Sequence, residues 1–159
     1  MINILAVETS CGKASVALYS NKKIVAFCQN EKLNMQAEEL FPLVDKAFEI
    51  GGLNYSSLSH ICTTTGPGSF TGIRIGLSAI RGIALAAPHI TQIGFSNFEV
   101  MAFRALRQAA NVKNIIVIFE CSPTTVYVQR FDENLQAIYQ PELIELGSLD
   151  ACLSECKGI

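Results

Sequence analysis

The stretch Gly66-Pro67-Gly68-Ser69-Phe70-Thr71-Gly72-Ile73-Arg74-Ile75-Gly76 leaves the backbone little freedom of path. Residues 60–65 before it read as a buried-type strand, and Gly66-Pro67-Gly68 breaks it sharply. A helical pattern then runs over residues 70–87 until Pro88 closes it. A buried strand must therefore turn at once into a long helix. Glycines permit a tight corner and close backbone approach, and the N–H groups that open a helix favour an anion. Ser69 and Thr71 add hydroxyls and Arg74 a cation, so the segment admits two readings. One is a phosphate or nucleotide contact, or a loop shaped for a partner; the other is a plain strand-to-helix corner capped by Ser69. It is not a Walker A loop, because no Gly-Lys-Ser/Thr follows at the required spacing.

Around this corner the periodicities order the chain. Residues 2–8, 14–19 and 23–28 read as strands, with turn chemistry at Thr9-Ser10-Cys11-Gly12-Lys13 and at Ser20-Asn21-Lys22. Ala37, Leu40, Phe41, Val44, Ala47 and Phe48 then follow helical spacing, stopping near Gly51-Gly52, with Pro42 expected to bend the helix or leave a carbonyl unpaired. Residues 90–95 read as a further strand. Ser96 and Glu99 make a capping box for a helix to about residue 110. The order βββαβαβα over residues 1–111 predicts an α/β, ribonuclease-H-like mixed sheet with helices on both faces.

Residues 112–159 begin by repeating the start. A shift of the first lobe sets Glu120 on Glu8, Val128 on Val16, Phe131 on Tyr19 and Tyr139 on Phe27, without a gap. The expectation is a duplicated, actin-like chain whose second lobe is shortened to three strands, a segment at 142–146 and a short helix over 148–156. Such a lobe leaves sheet surface for a partner or second copy to cover.

Composition excludes several classes. The net charge of −2 and the absence of a Lys/Arg-rich run argue against autonomous binding to a nucleic-acid backbone. No basic leader precedes the first strand, and the longest apolar stretch, 73–87, is interrupted by Arg74 and Arg81, so a cytoplasmic protein with no membrane span is expected. Cys11, Cys28, Cys62 and Cys121 sit in apolar runs without a CxxC pair and read as buried, reduced thiols. Cys152 and Cys156 have zinc-pair spacing, but His60 and His89 are isolated, so no metal is expected.

The helix after the corner carries two stripes. Ile73, Leu77, Ile80 and Ala84 form an apolar face, and Gly72, Gly76 and Ala79 a small-residue face that suits close approach by another helix. Internal packing and an intersubunit contact are both consistent with these stripes. Glu8 and Glu120 read either as a carboxylate pair across a cleft or as caps of their own turns. No nucleophile has a visible histidine base, and no catalytic residue is assigned.

Glu8-Thr9-Ser10, the run Leu40-Phe41-Pro42-Leu43-Val44 and above all the glycine segment resemble the TsaB (YeaZ) family, over residues 1–139 and more weakly after 110. The resemblance implies an ASKHA (actin-like) fold without metal-binding histidines and a non-catalytic role. The family pairs with TsaD through helices equivalent to 37–50 and 70–87, and the ATPase TsaE joins them. The complex transfers threonylcarbamoyl to N6 of adenosine 37 in tRNA (t6A modification), so tRNA is met only indirectly. The interface then implied is Leu40, Phe41, Val44, Ile73, Gly76, Leu77 and Ile80. A homodimer through the same helices is a third alternative when TsaD is absent. Gly66, Pro67, Gly68, Ser69, Thr71, Arg74, Glu8, Thr9 and Ser10 form the candidate anion or nucleotide contact, with no cofactor beyond an ATP or ADP contact at the partner interface. The alternative is an independent ATPase-like or peptidase-like enzyme using Glu8, Thr9 and Ser10. This sequence departs from the family in having Glu8 for Asp, Gln36 near a usual His, Ser122 for Arg and Thr125 for Glu, which bears on any function of the cleft.

Overall fold

The computed structural model of the chain describes residues 2–109 and 112–154. Its elements are β1 (Ile4–Glu8), β2 (Ser15–Ser20), β3 (Lys23–Gln29), α1 (Gln36–Gly51), β4 (His60–Thr64), α2 (Phe70–Ala86), β5 (Thr91–Phe95), α3 (Asn97–Gln108), β6 (Asn114–Ser122), β7 (Thr125–Asp132), β8 (Glu142–Glu145) and α4 (Leu149–Ser154). Short 3₁₀ turns lie at Tyr55–Ser57 and Leu146–Ser148. The chain divides into two compact units, 1–96 and 97–159. That division departs from the expected 111/112 boundary: α3 belongs with the second unit, because its Phe98 and Ala102 share a core with Ile115, Val117 and Phe131.

The first unit holds a five-stranded mixed sheet in the order β3-β2-β1-β4-β5. β1 pairs antiparallel with β2 and parallel with β4, which places Leu5 opposite both Leu18 and Ile61 on one face. Strand residues alternate between faces, so these side chains, with Val7, Val16, Ala26 and Cys28, form one apolar surface. Leu40, Leu43, Val44, Ala47 and Phe48 from α1 and Ala79, Ile80 and Ile83 from α2 cover it. Within this unit α1 and α2 thus share one face of the sheet. The β2–β3 hairpin turns at Asn21 and Lys22, with φ of 52° and 63°, as a two-residue hairpin matched to strand twist requires. α1 is continuous through Pro42 and ends at Gly52, whose left-handed backbone (φ 64°) lets its N–H donate to the Phe48 carbonyl at 2.9 Å.

The second unit is a three-stranded antiparallel sheet, β6-β7-β8, with α3 packed on β6. The first two strands match the expected repeat, although a bulge between Glu120 and Ser122 offsets the ladder. Tyr19 stands opposite Ile4, whereas Phe131 stands opposite Ile115 rather than Ile116. The expected third strand around Tyr139 is replaced. The Asp132 carboxylate accepts the N–H groups of Asn134 (2.9 Å) and Gln136 (2.8 Å), Leu135 is left-handed (φ 62°), and only Ala137 bridges Phe131. The chain pairs again as β8, setting Leu143 opposite Tyr127. The last expected helix is α4, and Cys156 lies outside the described residues.

Cys28 is buried and Cys62 partly so, but Cys11 and Cys121 are exposed, against the expectation for all four. Among the described residues no group of three His, Cys, Asp or Glu side chains stands close enough to hold a metal ion. No described helix is long and apolar enough to cross a membrane.

Candidate partner-binding site

The corner after β4 is built against the end of β1. Gly66 takes φ 105°, a backbone open to glycine, and joins Pro67 through a cis peptide. The Ser69 N–H donates to the Ser10 carbonyl at 2.8 Å, and the Ser69 hydroxyl accepts from Gly72 N–H at 3.2 Å, capping α2. The Thr9 hydroxyl donates to the Gly72 carbonyl at 2.7 Å. These bonds draw the helix onto Thr9 and Ser10 so tightly that side chains are excluded from one stripe. A Cβ on Gly72 would strike the Thr9 carbonyl oxygen, one on Gly68 would stand 2.8 Å from the Ser10 carbonyl oxygen, and one on Gly76 would stand 2.7 Å from the hydroxyls of Thr9 and Thr63. The small-residue face therefore serves a contact inside the chain, and not the second helix that its spacing suggested.

Glu8 caps its own turn. One carboxylate oxygen accepts the Ser10 N–H at 2.6 Å, the Thr64 hydroxyl at 2.9 Å and the Ser10 hydroxyl. Thr9 and Ser10 are both buried. Thr63, also buried at 3% exposure, leaves its hydroxyl oxygen without a hydrogen-bond partner against α2. Glu120 is exposed on β6 in the second unit.

The open surface of the first unit lies between its two helices. A groove of about 840 Å³ runs there, with Ala37, Leu40 and Phe41 on the α1 side, Tyr55 after it, and Arg74, Ile75, Ser78, Ala79, Gly82 and Ile83 among those from α2. Beside it stand three exposed apolar side chains, Phe41 at 47%, Phe70 at 67% and Leu85 at 84%. Exposed charge is mixed on α1, with Glu38, Asp45 and Glu49 beside Lys46, and basic on α2, with Arg74 and Arg81. The Arg74 guanidinium lies 3.7 Å from the centroid of the Phe70 ring. The Tyr55 phenol is held above its ordinary range by burial, with the Asp45 carboxylate adding to the shift.

The residues named for an interface divide on this surface. Phe41 is exposed, and Ile73 and Leu77 are partly buried. Leu40, Val44, Gly76 and Ile80 are buried within the chain itself. Of the corner residues, Ser69, Thr71 and Arg74 are exposed, as is Gly68. Sequence reasoning missed Ile75, Ser78, Gly82 and Leu85. A signal was present, since Ser78, Gly82 and Ala86 recur every fourth position.

Comparison with known proteins gives a consistent result. A protein-family model described as TsaD, tRNA N6-adenosine threonylcarbamoyltransferase, matches residues 34–152. The chain is 28% identical over 158 residues to the tRNA threonylcarbamoyladenosine biosynthesis protein TsaB of Buchnera aphidicola subsp. Schizaphis graminum, covering 97% of the chain and 74% of that relative. It is 28% identical over 155 residues to TsaB of Escherichia coli K12, covering 90% of the chain and 64% of that relative. Among solved structures, YeaZ from Pseudomonas aeruginosa superposes with a TM-score of 0.81 at 23% identity, over 91% of the chain and 68% of YeaZ. Component A of the (R)-2-hydroxyglutaryl-CoA dehydratase of Acidaminococcus fermentans superposes at 0.54 and 13% identity, over 92% and 48%. At those identities the two structures establish the actin-like fold alone.

Proposed function

We propose, for a chain that belongs to the family of this model and within it to the TsaB (YeaZ) group, that it serves t6A biosynthesis as a non-catalytic subunit pairing with a TsaD-type transferase. One observation carries the reading: the apolar groove between α1 and α2, beside exposed Phe41 and Leu85. Apolar side chains in this number on adjacent helices gain free energy when a partner removes them from water, roughly 25 cal/mol per Å². The dense hydrogen bonding around Glu8 supports the non-catalytic part. Three donors converge on one of its oxygens, and Thr9 is committed to Gly72, so this end of β1 works as a structural clamp on α2.

In this reading the chain brings no cofactor of its own, and an ATP or ADP is shared with the partner at the interface. TsaE joins through the TsaD-type subunit, tRNA is bound only by the assembly, and a homodimer forms when the transferase is absent. The complex works in the cytoplasm.

Co-expression with the TsaD-type subunit of the same genome, followed by sizing with light scattering, tests the pairing. A stable heterodimer is expected, together with no threonylcarbamoyl transfer by this chain alone. Two separate species on the column would remove the reading, and transfer by the isolated chain would remove its non-catalytic part.

A further inference from the structure

We propose that the end of β1 is an oxyanion cradle filled by the chain's own Glu8, whose carboxylate stands where a ligand's phosphate or carboxylate would sit and keeps such ligands out. The proposal goes beyond the pairing above and does not depend on it.

The cradle's donors are set by the sheet and by the turn that follows β1. β1 and β4 run parallel with Val7 beside Thr63. Glu8 and Thr64, the next residues along, therefore share the opposite face of the sheet from Val7. The Thr64 hydroxyl donates to a Glu8 carboxylate oxygen at 2.9 Å. The turn brings the Ser10 N–H to the same oxygen at 2.6 Å, with the Ser10 hydroxyl as a third donor. Ser10 and Thr64 are both buried. The glycine corner fixes Ser10 in turn, since the Ser69 N–H donates to the Ser10 carbonyl at 2.8 Å. A Cβ on Gly68 would stand only 3.1 Å from the Ser10 hydroxyl, so the backbone closes tightly over it.

Three preset donors on one oxygen are what a protein uses to hold an oxyanion, because charge-assisted bonds form there with little reorganisation. Here the oxyanion is part of the chain. Glu8 is tethered to the strand, so its effective concentration at the cradle far exceeds that of a dissolved anion. A phosphate arriving from solution would have to displace a carboxylate already in place and then lie beside its charge. Thr9 offers no substitute donor, since its hydroxyl is committed to the Gly72 carbonyl. A nucleotide shared with a partner subunit then sets its phosphates elsewhere than on Thr9 and Ser10, and ATP hydrolysis by Glu8, Thr9 and Ser10 is closed to this chain.

The test is chemical rescue. Glu8→Ala empties the cradle while leaving every donor in place, so the Ser10 N–H and the two hydroxyls each lose a charged acceptor. The Tm of the full chain should fall by roughly 5 °C or more in chloride. Formate, the smallest carboxylate, should return at least half of that loss at matched ionic strength. Wild type and Glu8→Gln, whose amide oxygen still fills the place, should show no difference between the two salts. Adding Thr64→Val to Glu8→Ala should weaken the formate response severalfold, because one donor is gone. Equal Tm of Glu8→Ala in formate and chloride would overturn the proposal. An equal formate response in the wild type would do the same, by placing the anion effect elsewhere. If Glu8→Ala folds in neither salt, the wild type decides through the NMR signal of its Ser10 amide. That signal should stay still on titration with inorganic phosphate or Mg-ATP. A saturable shift would show that a dissolved anion displaces Glu8, and the proposal would fail.

Discussion

The two halves of α2 use the same amino acid for different neighbours. In the first half, Gly72 and Gly76 are buried where the helix meets Thr9 and Thr63, and each is required because backbone or hydroxyl oxygen already fills the place of a side chain. In the second half, Gly82 is exposed over open space, and nothing in the chain asks for it. A small residue in a helix therefore marks a close approach only where a neighbour fills the place of its side chain, as at Gly72 and Gly76. The first half of α2 is shaped by the contact with β1 and β4, whereas at Gly82 no described neighbour limits the side chain.

The sharpest way to break this contrast is Gly72→Ala. Its methyl would collide with the Thr9 carbonyl, and a loss of about 3 kcal/mol or more is expected in urea unfolding. A loss below about 1 kcal/mol would mean that the helix shifts easily and that the first half is no more constrained than the second. Gly76→Ala should cost about 2 kcal/mol. Combined with Thr63→Ala it should cost somewhat less than the sum of the two, because one of the two hydroxyls it strikes is gone while that of Thr9 remains. Additive losses would show that Thr63 is not the obstacle.

Gly82→Ala reverses the sign, stabilising the isolated chain by up to about 1 kcal/mol. Equal destabilisation by Gly82→Ala and Gly76→Ala would erase the distinction between the halves. Thr63→Val is the subtlest case. Its orphaned hydroxyl makes no hydrogen bond, so the substitution should lie within about 1 kcal/mol of neutral, on the stabilising side.

Cys62, the neighbour of Thr63 on the opposite pleat of β4, supplies a pH test away from α2. Burial raises its thiol from 9.0 to about 11, so the folded chain favours the protonated form. That contribution is fully present below pH 9 and is lost as pH rises from 9 through 11. Cys62→Ala should flatten the alkaline fall in Tm over that window; an unchanged profile would place the titration elsewhere.

Much of the fold was legible because each element carries its own period. The alternation of Leu5 and Val7, the helical spacing from Leu40 to Phe48, and the Gly52 stop all lie where the structure puts them. The mixed sheet followed, since three hairpin-linked strands and two helical crossovers leave few arrangements; the order β3-β2-β1-β4-β5 came from the structure. The second unit was less legible. Its third strand was read from a repeat, but Asp132 binds two nearby N–H groups and curls the chain, so pairing after it is limited to the Ala137–Phe131 bridge and the Ile138 N–H to the Arg130 carbonyl, and the full ladder forms only at β8. A local side-chain competitor of this kind leaves the hydrophobic pattern unchanged.

The site divided in the same way. From the sequence alone came the corner at Gly66–Gly68, the Ser69 cap, and the two helices that border the groove, because turn chemistry and amphipathic period are local properties. Only the tertiary structure decided that Leu40, Val44, Gly76 and Ile80 are spent inside the chain while Phe41, Ser78, Gly82 and Leu85 face out. Periodicity states that a stripe must be covered; which atoms cover it depends on how deeply the helix sits on the sheet. Here the Thr9 hydroxyl donating to the Gly72 carbonyl, and the Ser10 carbonyl accepting from the Ser69 N–H, set that depth.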